Sequence, residues 1–234
     1  WIYPTASRIV VLTERSLASL PPQLHSRCRV IPNPVPVFTL QPDAAGAART
    51  ERRLLAMGRL VEQKGFDLLL EAFARVRQDF PAWTLIILGE GPLRGLLETR
   101  SAQPDLAGTV RLPGRVSPTS QAFAEADLFV LPSRYEGFPN ALCEAMAAGL
   151  PVIAADCPTG PREIIRPDVD VILVPPEDPA ALAAALARLM DDDALRQRLG
   201  GRAAEVVDRF GVDRIMAMWE AIVADALAEV SLLS

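Results

Sequence analysis

The sequence predicts an α/β fold: a Rossmann-like, doubly wound parallel sheet with a long C-terminal helix. Three observations predict it. From Leu54 onwards, short runs that are apolar throughout alternate with helix-forming segments. Such strands are typical of a parallel sheet that is covered by helices on both faces. Polar, glycine-rich segments follow several of these strands, where the ligand crevice of such a sheet lies. Near the end of the chain, apolar residues recur at helical spacing.

The alternating region predicts six strands, each followed by a helix. The strands are expected at residues 54–57, 85–88, 110–112, 128–131, 152–155 and 171–174. The helices are expected at residues 66–77, 93–100, 121–124, 141–148, 162–165 and 180–190. The last helix, 212–232, has an apolar stripe, which predicts packing on the core or on a neighbouring domain. The stripe includes Ile215, Met218, Trp219, Ile222 and Val223.

The first 36 residues predict only two strands, at 8–12 and 29–31, and a helix at 14–20 that Thr13 caps. These elements are too few for a core, so we interpret residues 1–36 as the tail of another domain. A proline-rich run at 32–36 cannot continue a helix or a sheet. We therefore expect an interdomain linker at 37–51, a ligand-binding domain at 52–210 and a C-terminal helix at 211–234.

Composition excludes some classes of function. The chain has 234 residues, is 50% hydrophobic and 23% charged, and carries a net charge of −5, which argues against a nucleic-acid partner. No apolar run reaches the roughly 18 residues that a membrane-spanning helix requires. Three scattered cysteines without metal spacing indicate free thiols in a reducing compartment, and His25 is expected in a solvated loop. The chain lacks a signal-peptide pattern and does not begin with Met, so we interpret it as part of a longer protein.

The segment after the first sheet strand predicts a diphosphate site. Gly58 allows a ligand to approach the backbone closely. Arg59 offers a planar fork of donors, and Lys64, the only lysine of the chain, offers a compact ammonium group. Together they can neutralise about two charges of a diphosphate. The alternative is an ordinary solvated loop with two surface charges.

Two other strand ends carry weaker signals. Gly89 and Gly91, with Pro92 after them, predict a tight turn first and a ligand wall second, because the third glycine of a dinucleotide fingerprint is missing. At 157–165, prolines flank a Thr-Gly pair and form a rigid turn into a helix. That turn either lines a sugar pocket or only terminates the strand.

The segment 135–154 is the most informative part of the sequence. Asn140 is expected to cap a helix, and the N–H groups of Phe138, Asn140, Ala141 and Leu142 are expected to be free for phosphate oxygens. Glu144 lies about 6 Å further along the axis, where a carboxylate suits ribose hydroxyls better than a diphosphate. Glu136, before the turn, suits hydroxyls of a sugar. The alternative is a capped helix with two acids near its positive end.

In combination, these segments resemble the retaining glycosyltransferases of family 4, which have the GT-B fold. The resemblance covers residues 52–190. It rests on the Glu136…Glu144 spacing, the Gly58-Arg59…Lys64 loop and three further motifs, which are 31–35 between the domains, 89–92, and Pro113-Gly114-Arg115-Val116.

The resemblance implies that the chain is the C-terminal, donor-binding half of such an enzyme. Arg59, Lys64 and Glu136 are the implied catalytic residues. Arg59 and Lys64 would hold the nucleotide diphosphate, Glu144 the ribose and Glu136 the sugar, while the loop at 112–116, with Arg115, would lie against the base. The run at 157–161 resembles that of members which use UDP-linked sugars in polysaccharide or lipopolysaccharide synthesis.

The resemblance also implies a partner, a location and an inactive fragment. The family needs no metal or other cofactor, and its acceptor is a glycan or a lipid-linked molecule. A cytoplasmic protein is expected, with peripheral association at the inner face of the plasma membrane as an option that no polybasic patch supports. The catalytic His of the N-terminal domain has no counterpart here, since His25 does not match it, so the chain alone is expected not to transfer sugar.

One position departs from the family pattern, and two other functions remain open. The family has Asp-Gly before its last sheet strand, whereas Asp170 is followed by Val171, which puts that turn in doubt. The alternatives are a nucleotide-sugar epimerase and a non-catalytic nucleotide-binding or interaction module.

Overall fold

A six-stranded parallel sheet forms the centre of the computed structural model, which describes residues 6–37 and 50–232. The predicted linker therefore lies mostly outside the described residues. The bounds of its strands are β3 Arg52–Met57, β4 Trp83–Leu88, β5 Val110–Gly114, β6 Leu128–Leu131, β7 Val152–Ala155 and β8 Val171–Val174. Their order across the sheet is β5-β4-β3-β6-β7-β8. All six predicted strands are confirmed, and so is the doubly wound fold class.

The strand order creates a crevice between β3 and β6. The chain runs outwards from β3 through β4 to β5, and then returns to pair β6 with the other side of β3. Loops that follow neighbouring strands of opposite winding diverge at this point, which leaves room for a ligand at the carboxyl ends of the strands. The loops after β3 and β6 are those that the sequence singled out.

Helices cover both faces of the sheet. Along β3, Leu54 and Ala56 face one apolar core and Leu55 faces the other, as the two-residue period of a strand requires. The first core is closed by α2 Phe66–Val76, α3 Arg94–Ser101, α7 Pro179–Asp191 and α8 Asp193–Ala203. The second is closed by α4 Thr119–Ala124, α5 Asn140–Ala147, α6 Pro161–Ile164 and α9 Val206–Phe210.

Two of these helices, α8 and α9, were not predicted. The sequence of α8 is rich in charged residues and has little apolar periodicity, so the pattern on which the other helices were predicted is weak there. Its start has a cap, because the side chain of Asp192 accepts a hydrogen bond from the backbone N–H of Leu195.

The N-terminal part is small and contacts the last helix. Strands β1 Ile9–Val11 and β2 Cys28–Val30 pair in parallel, with α1 Glu14–Ala18 and a 3₁₀ helix, Pro22–Arg27, between them. Thr13 caps α1 as predicted, by accepting from Ser16 N–H. His25 lies in the 3₁₀ helix, half-buried, with Nε2 2.9 Å from the Leu20 carbonyl, so its prediction as a solvated loop residue is wrong.

Helix α10, Val212–Leu232, buries only part of its apolar stripe. Ile215 and Ile222 pack with Ile31 against the N-terminal part, while Trp219 and Val223 are 38% and 52% exposed. The stripe as a whole is therefore not a core face. In the described residues, no helix combines the length and the hydrophobicity that crossing a bilayer requires.

Candidate functional site

The loop after β3 is held against the loop after β6. The chain forms a 3₁₀ turn at Glu62–Lys64 and leaves it through Gly65 in the left-handed region, at φ 64°. A Cβ at Gly65 would lie 2.1 Å from the carbonyl oxygen of Pro132, so only glycine permits this approach. Hydrogen bonds also join the two loops: the Arg134 N–H donates to the Gln63 carbonyl, and Gln63 Nε2 donates to the Tyr135 carbonyl.

Lys64 forms an ion pair with Glu136. The Nζ atom lies 2.6 Å from Glu136 Oε1, and the Lys64 stem packs over Gly58, where a Cβ would meet it at 3.2–3.3 Å. Glu136 is buried, with only 5% of its side chain exposed, and also accepts a 2.7 Å hydrogen bond from Ser133 Oγ. The resemblance assigns Lys64 to the diphosphate and Glu136 to the sugar, and the structure brings these two side chains into direct contact.

The start of α5 differs from the prediction. Pro139, not Asn140, occupies the N-cap position, and Asn140 is the first helical residue. The Asn140 side chain accepts a 2.9 Å hydrogen bond from Asn33 Nδ2 and so does not cap the helix. The N–H of Leu142 donates to the Pro139 carbonyl, so the prediction that this group is free is also wrong. Asn140 and Ala141 remain at the positions whose N–H groups have no acceptor within a helix.

Glu144 is a half-buried carboxylate. Burial raises the pKa of Glu144 above its usual range, since desolvation disfavours the charged form. No described residue forms a hydrogen bond or an ion pair with its carboxylate oxygens. A carboxylate without such partners, at the edge of a cavity, is available to accept hydrogen bonds from a ligand.

These residues meet in one cavity. It has a volume of about 390 Å³ and is lined by Met57, Gly58, Lys64, Thr119, Leu131, Glu136, Phe138, Pro139, Asn140, Ala141 and Glu144. Seven of the predicted site residues are therefore brought together at the carboxyl ends of β3 and β6. Leu142, which is buried, does not line it.

A second cavity adjoins the first. It has a volume of about 240 Å³, shares Met57, Gly58 and Thr119 with the larger cavity, and is also lined by Arg59, Gly89 and Arg115. Arg59 is exposed and forms no ion pair with the described residues. Two other cavities have volumes of about 380 and 690 Å³, and the first is lined in part by Pro113 and Val116 of the loop that was predicted to lie against the base.

The loop after β4 owes its glycines to packing. A Cβ at Gly89 would lie 1.8 Å from the carbonyl oxygen of Gly58, and one at Gly91 would lie 2.4 Å from that of Leu60. Arg94 braces the same loop through Glu90, and it lowers the Glu90 pKa chiefly by hydrogen bonding. The interpretation as a tight turn is confirmed, because the close packing of the loop by itself requires both glycines.

The loop after β7 contacts the backbone of Glu136 and of the turn that follows it. The hydroxyl of Thr159 donates to the backbone carbonyl of Glu136, and a Cβ at Gly160 would lie 2.9 Å from the Gly137 carbonyl oxygen. Burial raises the pKa of the neighbouring Cys157 to about 11, so this thiol is protonated near neutral pH. The loop does more than terminate a strand, although it does not line the 390 Å³ cavity.

The unusual Asp170-Val171 pair has a local explanation. The left-handed residue of the turn is Asp168, at φ 59°, so position 171 is free to be a strand residue. Asp170 is fully buried and accepts from the Arg166 N–H and Nε, both at 2.8 Å, and from Arg209 Nη2 at 3.3 Å. Among the described residues, no group of three or more His, Cys, Asp or Glu side chains is arranged to hold a metal ion.

Comparison with known proteins gives one family. The model of the family described as "Glycosyl transferases group 1" matches residues 51–192. An exopolysaccharide phosphotransferase of Streptomyces coelicolor is 37% identical over 229 residues, which are 96% of this chain and 24% of that protein. A phosphatidyl-myo-inositol mannosyltransferase of Mycobacterium leprae is 37% identical over 202 residues, which are 82% of this chain and 53% of that protein.

A solved structure supports the fold. Anabaena HepE, determined in complex with UDP and glucose, superposes with a TM-score of 0.86 at 22% identity, over 96% of this chain and 65% of that one. The chain thus spans between 24% and 65% of the length of these three proteins.

Proposed function

Because this chain belongs to the group 1 glycosyl transferases, we propose that it binds the nucleotide-diphosphate sugar donor of a retaining glycosyltransferase. The full-length protein would transfer the sugar to a glycan or lipid-linked acceptor in polysaccharide or lipopolysaccharide synthesis, in line with the names of its relatives. The proposal is carried by one observation: Lys64, Glu136 and Glu144 line one cavity beside the start of α5.

The cations and the helix start would bind the diphosphate. Lys64 has three ammonium donors, and the ion pair with Glu136 uses one of them. Arg59 lines the adjoining cavity and is an exposed residue. The N–H groups of Phe138, Asn140 and Ala141 lie at the positive end of α5. When the bond between sugar and phosphate breaks, negative charge builds on the departing diphosphate, and these groups would stabilise it without a metal ion.

The two glutamates would bind hydroxyl groups. Glu144 would accept from the ribose, which agrees with its lack of partners among the described residues. Glu136 would accept from a hydroxyl of the donor sugar. A retaining hydrolase needs two carboxylates about 5 Å apart on either side of the bond that breaks. Here Glu144 is assigned to the ribose, and no second catalytic carboxylate among the described residues lines the cavity beside Glu136, which favours transfer without an enzyme nucleophile.

The smaller cavity would hold the base. Gly89 and Arg115 line it together with Val116, and the loop that carries Arg115 follows β5. We propose UDP as the nucleotide, with support from HepE, whose structure contains UDP and glucose.

For this chain by itself, we propose donor binding without sugar transfer, because it spans only 24% and 53% of the two relatives described above. It would be the C-terminal half of a GT-B enzyme, linked through residues 37–51 to an acceptor-binding domain, with 211–234 packing back on that domain. A cytoplasmic location is proposed as well. The buried, free thiols Cys28, Cys143 and Cys157 suit a reducing compartment.

Calorimetry tests the proposal. UDP and GDP are titrated into the wild-type chain and into Glu144→Ala, with Glu220→Ala, an exposed glutamate of α10, as the matched control. Loss of hydrogen bonds to a charged group costs about 1.5–3 kcal/mol, so Glu144→Ala is expected to weaken UDP binding about 10- to 150-fold. The control should leave it unchanged, and wild type should bind UDP more tightly than GDP.

The alternatives predict other outcomes. If no nucleotide binds to the wild-type chain at millimolar concentration, the non-catalytic interaction module is favoured. If the full-length protein converts free UDP-sugar to its epimer without acceptor, the epimerase is favoured. The comparisons favour neither of these two functions.

A further inference from the structure

Ser133 is a buried hydroxyl group that the proposed function does not use. It follows the end of β6 by two residues and is 1% exposed. Its Oγ lies 2.7 Å from Glu136 Oε1, and Lys64 Nζ lies 2.6 Å from the same oxygen atom. Two donors, one from each ligand loop, therefore converge on a single oxygen of the carboxylate.

This convergence makes the two carboxylate oxygens different. Each carboxylate oxygen has two lone pairs, so two donors saturate Oε1. No described residue donates a hydrogen bond to Oε2. Since Glu136 lines the 390 Å³ cavity, Oε2 is the oxygen that is free to accept from a ligand there.

The backbone of Glu136 is held too. The Thr159 hydroxyl donates to its carbonyl, and Gly160 packs against the turn that follows it. With the backbone fixed, the torsion angles of the side chain determine where Oε2 points, and the bond from Ser133 restrains them. A binding group is effective only when it is held close to its productive geometry by neighbours of this kind.

We propose that Ser133 is a positioning residue for the donor sugar. By holding Oε1, it orients Glu136 so that Oε2 accepts a hydroxyl group of the sugar. The inference rests on the proposed function and deepens it, because it separates recognition of the sugar, through Ser133 and Glu136, from recognition of the diphosphate, through Lys64.

The separation gives a specific expectation. Ser133→Ala keeps Lys64 and the start of α5, so its affinity for UDP should stay within about twofold of wild type. The same variant should lose the extra affinity that a UDP-sugar has over UDP. A hydrogen bond from a sugar hydroxyl to a carboxylate corresponds to about a 10- to 150-fold change in affinity, which is the largest loss that misplacement of Glu136 can cause.

The experiment compares UDP, UDP-glucose and UDP-N-acetylglucosamine by calorimetry on the wild-type chain and its variants. Ser101→Ala is the matched control, because it removes the hydroxyl group of another buried serine. The Oγ of Ser101 donates to the backbone carbonyl of Leu97 in α3. Ser133→Thr keeps the hydroxyl group and should retain the sugar-dependent affinity. If Ser133→Ala does not fold, Ser133→Cys, which has a similar size and is a weak donor, provides the same comparison.

Each outcome counts for or against the inference. A selective loss of UDP-sugar affinity in Ser133→Ala, with Ser101→Ala unchanged, supports it. An equal loss for UDP and UDP-sugar overturns it, since Ser133 is then only structural. It is also overturned if neither sugar increases the affinity of wild type above that for UDP. Absence of UDP binding in wild type is a different result, which overturns the proposed function itself.

Discussion

Replacement of Lys64 by alanine has two consequences that can be measured separately. Lys64 is 20% exposed and pairs with a glutamate side chain that is 5% exposed. Without the lysine, the carboxylate of Glu136 keeps only the hydrogen bond from Ser133. Removing one partner of a buried ion pair costs about 3–5 kcal/mol. The cavity is open to solvent, so we expect a smaller loss of about 2 kcal/mol in the free energy of unfolding.

The effect on binding has another origin. The ammonium group would no longer donate to the diphosphate, and a charge-assisted hydrogen bond contributes about 1.5–3 kcal/mol. UDP binding should therefore weaken about 10- to 150-fold.

The double variant Lys64→Ala/Glu136→Gln separates the two effects. It removes the unpaired charge, so it should recover most of the lost stability, but it has no cation for the diphosphate and should still bind UDP weakly. Urea unfolding measures the first quantity and calorimetry the second. Arg75→Ala, which breaks an exposed ion pair with Glu71 on α2, is the control and should change stability by less than about 0.5 kcal/mol. UDP affinity within twofold of wild type in Lys64→Ala would refute the diphosphate assignment, and no recovery in the double variant would refute the ion pair.

Three further predictions concern stability and pH. Gly89→Ala should lower the free energy of unfolding by about 3 kcal/mol, because its Cβ would clash with a carbonyl oxygen 1.8 Å away and its φ of 139° is strained for alanine. In contrast, Gly95→Ala in α3, where a Cβ meets nothing within 4 Å, should raise the free energy of unfolding by about 0.5–1 kcal/mol. Asp170→Asn should cost about 3 kcal/mol in urea unfolding, since Arg209 loses its buried counter-charge, and a loss below 1 kcal/mol would contradict the role of this cluster. Burial raises the pKa of Glu144, and its carboxyl group is charged above that pKa and protonated below it. As the pH is lowered, UDP affinity should therefore begin to fall at a higher pH than an ordinary carboxyl group would give. Glu144→Gln should remove this part of the pH profile, and an identical profile in the variant would contradict the ribose assignment.

The sheet could be predicted because its signal is local. Five of the six strands contain apolar runs with turn residues beside them, and burial on both faces leaves the sequence little choice at these positions. The exception is the edge strand β5, in which Arg111 is exposed. Helix α8 was not predicted because its buried face has few large apolar residues, Leu195 and Leu199, and also includes an arginine and a glycine. Its start was marked by Asp192, which a search for helix caps would have found.

The details of the site could not be predicted because they depend on distant partners. Lys64 and Glu136 are 72 positions apart, and Asn140 is turned away from the helix end by Asn33, which is 107 positions away. Local patterns placed these residues at the correct strand ends. The contacts among them arise only when β3 and β6 pair, and Ser133 carries no signal of its own in the sequence.

The ion pair at Lys64 also gives the molecule an unusual chemical property. The chain has one lysine, so apart from its terminal amine, Lys64 is the only primary amine that an acylating reagent can modify. Its Nζ is paired with the Glu136 carboxylate, and its side chain is 20% exposed. The rate at which Lys64 is acylated, measured by mass spectrometry, therefore reports whether the crevice is occupied or open, and no label has to be introduced by mutation.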